Sequence, residues 1–322
     1  MTSSIPGDIG RESGARPEWT RRDERGSASM LRLMTWISLR LGRRAGRCAL
    51  PLIAAYFLLL AAPARRASRL YLRRALQREP GWRDLYRHVH FFASTLHDRI
   101  YLINDRFELF DIEVRGGELI TDLLAAGRGA FLVGAHLGSF EVLRALAREN
   151  LGLDVAIAMY EENARKINAA LAAVNPAARQ DIIPLGRVDS MLQIRQRLHD
   201  GAIVGILGDR TVGGDAAVPV SFLGEPATLP SGPFRLAAML QRPVIFMAGL
   251  YLGGNRYRIH FEMLADFSVI PVAERDAALH GAVERFAAVL ERHCRAAPYN
   301  WFNFFDFWQS PVVSGATRKA RR

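Results

Sequence analysis

Short apolar runs alternate with stretches of helical periodicity along most of this chain. Residues 129–135, 153–160, 182–185, 201–207, 243–250 and 257–263 read as strands. They are too short for independent helices, and most are apolar without alternation, as in a sheet covered on both faces. Between them, apolar residues recur every three or four positions. Leu70, Leu72 and Leu76, then Leu85, Val89, Phe92, Leu96 and Ile100, predict two helices within 68–108, broken at Pro80-Gly81. Helices are also expected from Ser139 onward with Gly138 or Ser139 as cap, through Arg165 and Lys166, and over 190–199, 233–240 and 274–295. Strands separated by helices predict an α/β fold: a mixed, largely parallel sheet flanked by helices. The sequence contains no internal repeat and no glycine-rich phosphate loop.

The N-terminal quarter has a different pattern. Residues 48–64, CALPLIAAYFLLLAAPA, carry no charge. As a helix they would span roughly 25 Å, at the lower edge of what crosses a bilayer. Arg40, Arg43, Arg44 and Arg47 precede the run, and Arg65, Arg66, Arg69, Arg73 and Arg74 follow it. With both flanks basic, the positive-inside rule selects no orientation. A hydrophobic membrane-anchor helix is therefore expected within 30–75, spanning the bilayer or lying on it, with a buried core helix as the alternative and 76–310 as the main folded domain. Residues 1–29, rich in Gly, Ser, Pro and charge, are expected to be disordered, and Met30 is the expected translation start. The basic ending, 311–322, is expected to be a flexible tail.

The net charge of +11 invites a nucleic-acid reading. Its location opposes that reading: residues 1–90 hold 18 arginines against 7 acidic residues, whereas 91–322 hold 25 basic and 25 acidic residues. The excess belongs to the segment around the apolar run, where it suits anionic lipid head groups. Two cysteines, Cys48 and Cys294, suggest neither a disulfide framework nor a metal site, so a reducing compartment fits.

Candidate chemistry centres on GAFLVGAHLGSFEVLRAL. His136 falls where a strand ends and a helix begins, a place where α/β folds bind ligands. Glu141 follows within the first helical turn, and its carboxylate can fold back onto the imidazole, hold one ring nitrogen as a donor and leave the other as a base. The plain alternative is a hydrogen-bonded strand-end histidine beside a solvated glutamate. Ser139 is a poor nucleophile candidate, since no G-x-S-x-G elbow surrounds it. The amides of Gly138 and Ser139 are candidate oxyanion donors. Asp209 and Arg210 follow the 201–207 strand and can face the same crevice, either as a structural pair or as a site for an anionic substrate. The run PYNWFNFFDFW at 298–308 reads as a segment sealing the core, or as rings lining an acyl channel or touching the membrane.

His-x4-Glu after an apolar strand resembles the signature of the lysophospholipid acyltransferase superfamily. GILGDRTVGG at 205–214 and SFLGEPATLPSGPFRLAAMLQRPVIFM at 221–247 resemble its next blocks, in order, and the chain is most similar to the late lipid A acyltransferase branch. The resemblance covers about residues 30–310. It implies an O-acyltransferase that moves a fatty acyl chain from an acyl carrier protein or CoA thioester to a hydroxyl of a lipid or glycolipid. His136 and Glu141 would be catalytic; Gly138, Ser139, Arg187, Asp209 and Arg210 would bind substrate. Transfer would be direct, without metal or cofactor, at the bacterial inner membrane with the catalytic domain facing the cytoplasm. The family's basic tail motif is missing at 298–308, which bears on the acceptor. Competing readings are a non-catalytic lipid-binding or transfer protein on the same fold, and a thioesterase that uses water.

Overall fold

The structure, a computed structural model, describes residues 28–143, 155–160, 174–175, 181–186, 188–210 and 216–309. The expected N-terminal extension up to residue 27, the helix through Arg165 and Lys166, Arg187 and the basic tail lie outside the described residues.

Among the described residues, seven strands form the main sheet: β1 (Asp111–Arg115), β2 (Ala130–Gly138), β3 (Val155–Tyr160), β4 (Ile182–Leu185), β5 (Ile203–Leu207), β8 (Pro243–Gly253) and β9 (Arg256–Asp266). Their order is β1-β9-β8-β2-β5-β3-β4. Only β8 and β9 pair antiparallel; the other neighbours run parallel. The expected mixed, largely parallel sheet is present, with β2 at its centre. Alternation along β2 sends Phe131 and Val133 into one core and Ala130 and Leu132 into the other. The first core is closed by α2 (Ala62–Leu76), α6 (Gly232–Leu240) and α7 (Arg275–Ala296), through residues such as Tyr71, Phe234, Phe286 and Leu290. The second is closed by Leu102 of α3 (Trp82–Ile103) and by Ile120 and Leu123 of α4 (Glu118–Ala125). Helix α5 (Val188–His199) precedes β5.

Two features are absent from the sequence reading. β1, whose residues are mostly exposed, is an edge strand without an apolar run. The hairpin β6 (Ala217–Phe222) and β7 (Glu225–Pro230) forms a separate two-stranded sheet. Pro219, Pro226 and Pro230 argue against strands, but a two-stranded ribbon has free edges that tolerate them. Its turn, Leu223-Gly224 with φ of 53° and 83°, lacks the usual Asn-Gly signal.

The segment expected to be the anchor is a bent pair of helices. α1 (Ala28–Leu60) kinks at Gly42, breaks at Ala61, and meets α2 at 96°. Among the described residues, no single helix is long and apolar enough to cross a membrane, and one bent pair passes by length and composition. One stripe of α1, including Leu50, Ala54 and Leu58, is buried against the rest of the protein. Gly46 permits the approach to α3: a Cβ there would lie 2.3 Å from Nε2 of His97. Below it, Arg43 grips the fully buried Asp98 of α3 in bidentate fashion, at 2.8 Å for each bond, and the Tyr257 hydroxyl donates to the same carboxylate.

Candidate active site

His136 and Asp209 come from neighbouring parallel strands. β2 carries the histidine near its C-terminal end, and Asp209 lies two residues beyond β5. Because β2 and β5 pair in register from Ala130↔Ile203 to Gly134↔Leu207, their ends open on the same edge of the sheet. The Asp209 carboxylate receives three hydrogen bonds. The His136 backbone N–H donates to Oδ2 (3.0 Å), the His136 ring meets Oδ1 through Nδ1 (2.8 Å), and the Trp301 indole N–H donates to Oδ2 (3.1 Å).

Asp209 is fully buried, which alone would raise its pKa. The charge and hydrogen bonds of His136, with Arg210 nearby, outweigh burial and lower it to about 2. The carboxylate is therefore ionised at neutral pH and only accepts, so Nδ1 of His136 carries the hydrogen and Nε2 holds the free lone pair. Burial of the ring's surroundings pulls the His136 pKa below its ordinary value, Asp209 opposes this, and the Arg210 charge adds to the lowering. The imidazole is neutral at pH 7 and 31% of its side chain remains accessible. A neutral, oriented, reachable imidazole is what a general base requires.

Several expected roles change. Glu141 does not supply the brace: its Oε1 pairs with Nε of Arg99 on α3 at 2.7 Å, and its Oε2 accepts the Ser139 hydroxyl at 3.4 Å. The five-residue spacing left its direction open, and a guanidinium on α3 draws it away from the ring. The oxygens of Asp209, expected among the substrate contacts, are buried and receive hydrogen bonds from His136 and Trp301. The candidate oxyanion donors are also committed: Gly138 N–H donates to Asn300 O and Ser139 N–H to Gly249 O, both at 2.8 Å. A backbone amide has one hydrogen to give. Val142 and Leu143 are helical as expected, while 144–150 lie outside the described residues. Arg210 donates to Phe302 O (3.3 Å) and stands over the Phe305 ring at 5.2 Å. Burial lowers its pKa and Asp209 opposes that shift.

The turn after His136 is clamped by close backbone contact. Gly138 has φ +75°, and a Cβ there would sit 1.9 Å from Gly249 O. The aromatic run supplies the other jaw. Leu137 and Trp301 form an antiparallel bridge, Phe302 N–H donates to His136 O (2.7 Å), and the Asn300 amide bonds both N–H and C=O of Tyr251. Trp301 is itself fully buried between the rings of Tyr71, Phe222 and Phe307. His88, fully buried, accepts from Ser68 at Nδ1 and donates Nε2–H to Trp301 O. Burial outweighs that bond and lowers its pKa to about 4. The 298–308 segment thus seals the core, one of the readings its sequence offered, and also fixes the Asp209–His136 pair, which the sequence did not indicate.

The family model described as bacterial lipid A biosynthesis acyltransferase matches residues 94–310, which take in β1 to β9, the His136 turn and the aromatic segment. No curated protein matches the chain.

Proposed function

The chain belongs to the bacterial lipid A biosynthesis acyltransferase family, and we propose that it uses His136 and Asp209 to move an acyl group from a thioester to a hydroxyl of a lipid A-like acceptor. Nε2 of His136 removes the hydroxyl proton as the acceptor oxygen attacks the thioester carbonyl. Asp209 keeps the ring in the Nδ1–H tautomer and stabilises the imidazolium that forms. As the tetrahedral intermediate collapses, the C–S bond breaks, and the proton on Nε2 passes to the departing thiolate. One ester and one thiol result, without an acyl-enzyme. Glu141 contributes by tying the turn to Arg99. Arg210, beside the pair, is placed to meet an anionic group of donor or acceptor. The donor is an acyl carrier protein or CoA thioester, and the reaction takes place at the cytoplasmic face of the inner membrane.

The observation that carries this reading is the 2.8 Å contact between a partly accessible imidazole and a buried carboxylate at adjacent strand ends. Incubating purified protein with acyl thioester and lipid A precursor should yield acylated lipid and free thiol in equal amounts. His136→Ala should lower the rate by about 10²–10⁴. Undiminished transfer by that variant, or thiol release without lipid product, refutes the assignment.

A further inference from the structure

We infer that the N-terminal helix seats in a single leaflet, in the plane of the membrane, and does not cross the bilayer. This rests on the proposal that the substrate is a membrane lipid, and extends it to how the protein meets that membrane.

Three observations support the inference. First, α1 is not free to be surrounded by lipid. Its inner stripe (Gly46, Leu50, Ala54, Leu58) is buried, and the Arg43–Asp98–Tyr257 cluster and the Arg47–Tyr251 hydrogen bond (2.9 Å) fasten it to α3, β8 and β9. α3 beside it carries Arg83, Arg87 and Arg99, which would have to enter hydrocarbon if α1 crossed. Second, the outward face over 48–60 is apolar and uncovered: Leu52 is 76% exposed, Tyr56 60%, Leu59 65% and Leu60 68%. Third, residues 28–78 hold eleven arginines and no acidic residue. Arg40, Arg44, Arg66, Arg69 and Arg73 are exposed on either side of that face. An apolar strip with basic flanks matches an anionic leaflet.

The same surface leads to the chemistry. Trp82, Phe92 and Leu96 are exposed on α3. The Phe92 ring meets Phe302 and Phe304, each at 5.3 Å, and Phe302 N–H donates to His136 O. Exposed apolar side chains of α3 thus pack against the segment that bonds the His136 backbone.

The two geometries differ in where the basic flanks end up. The test uses full-length protein with Cys48→Ser, carrying Arg40→Cys or Arg69→Cys, in a bacterial host; Cys294 is buried and stays silent. A membrane-impermeant maleimide should label both positions in inverted inner-membrane vesicles and neither in intact spheroplasts. One position labelled in each preparation shows a span and overturns the inference. In parallel, the protein should float with vesicles of phosphatidylethanolamine and phosphatidylglycerol (3:1), and Leu52→Asp/Leu59→Asp should weaken flotation roughly tenfold or more with an unchanged melting midpoint. Failure of the wild type to float, equal flotation of that variant, or a stable soluble dimer covering the face also overturns it. His136→Ala should give the same labelling and flotation, so loss of the catalytic proposal would leave these readouts standing.

Discussion

Replacing Asp209 with Asn removes the charge and almost nothing else, and the hydrogen bonds around it determine the consequence. Three N–H groups converge on the two Asp209 oxygens. An Asn offers one oxygen and one NH2 group. If the oxygen serves the His136 and Trp301 donors at the Oδ2 position, the NH2 faces Nδ1 of the ring. Nδ1 must then accept, the hydrogen moves to Nε2, and the base is lost. The corresponding Asp→Asn change in the serine-protease triad, a different system, lowers kcat by about 10⁴. Loss of a positioned base generally costs about 10²–10⁴. We expect a fall in kcat within that range, equivalent to about 3–5 kcal/mol of barrier. Losing a charged hydrogen-bond acceptor should also cost about 1.5–3 kcal/mol of stability. The pH profile separates this from simple damage. In the wild type, the acid limb of kcat/KM lies below pH 6.5, because the His136 pKa is lowered. Asp209 is a group that raises that pKa, so in the variant the limb moves lower still, and alkaline pH cannot restore the rate. The assay is steady-state thiol release coupled to quantified lipid product, with Glu141→Gln in parallel. A loss smaller than threefold for Asp209→Asn, or one exceeded by Glu141→Gln, refutes the assignment of the brace.

Gly138→Ala should destabilise by about 2–5 kcal/mol, combining the left-handed backbone penalty with a 1.9 Å clash against Gly249 O. Gly127→Ala, with φ +62° and open space around it, should lose only about 1–2 kcal/mol in the same thermal melts; equal losses would contradict the clamp. Trp301→Phe removes one donor from Asp209 while keeping most of the buried ring, and should lower kcat about tenfold with a melting midpoint nearer wild type than that of Gly138→Ala. His88 and His293 have pKa values lowered to about 4, mainly by burial. The unfolded chain binds protons more readily there, so stability falls as pH drops from about 6.5 to 4, by up to about 3 kcal/mol for each group. His88→Gln should flatten that dependence, and an unchanged slope would argue against a buried neutral ring.

Periodicity made most of the fold legible. The central strands are short apolar runs, and their helices carry an unmistakable three- and four-residue spacing. β1 and the β6–β7 hairpin escaped because an exposed edge strand and a proline-bearing ribbon have no buried run to display. The site was legible as residues but not as partners. His136, Asp209 and Glu141 each stand out beside strand ends, yet which carboxylate reaches the ring depends on strand order. β5 lies against β2 in the sheet although β3 and β4 intervene in sequence. The pull of Arg99 on Glu141 and of Trp301 on Asp209 involves separations of 42 and 92 residues that no local pattern encodes. The amides of Gly138 and Ser139 looked available because their acceptors, Asn300 and Gly249, lie more than a hundred residues downstream.

The ring of His136 reports the account's main claim directly. In protein labelled with 15N-histidine and assigned by comparison with His136→Gln, NMR at pH 7.5 should show a neutral imidazole with hydrogen on Nδ1 and a bare Nε2. Asp209→Asn should convert it to the opposite tautomer, and Glu141→Gln should leave it as it was. A wild-type ring with its hydrogen on Nε2, or one that responds to Glu141→Gln and ignores Asp209→Asn, would contradict the His136–Asp209 pair as the base.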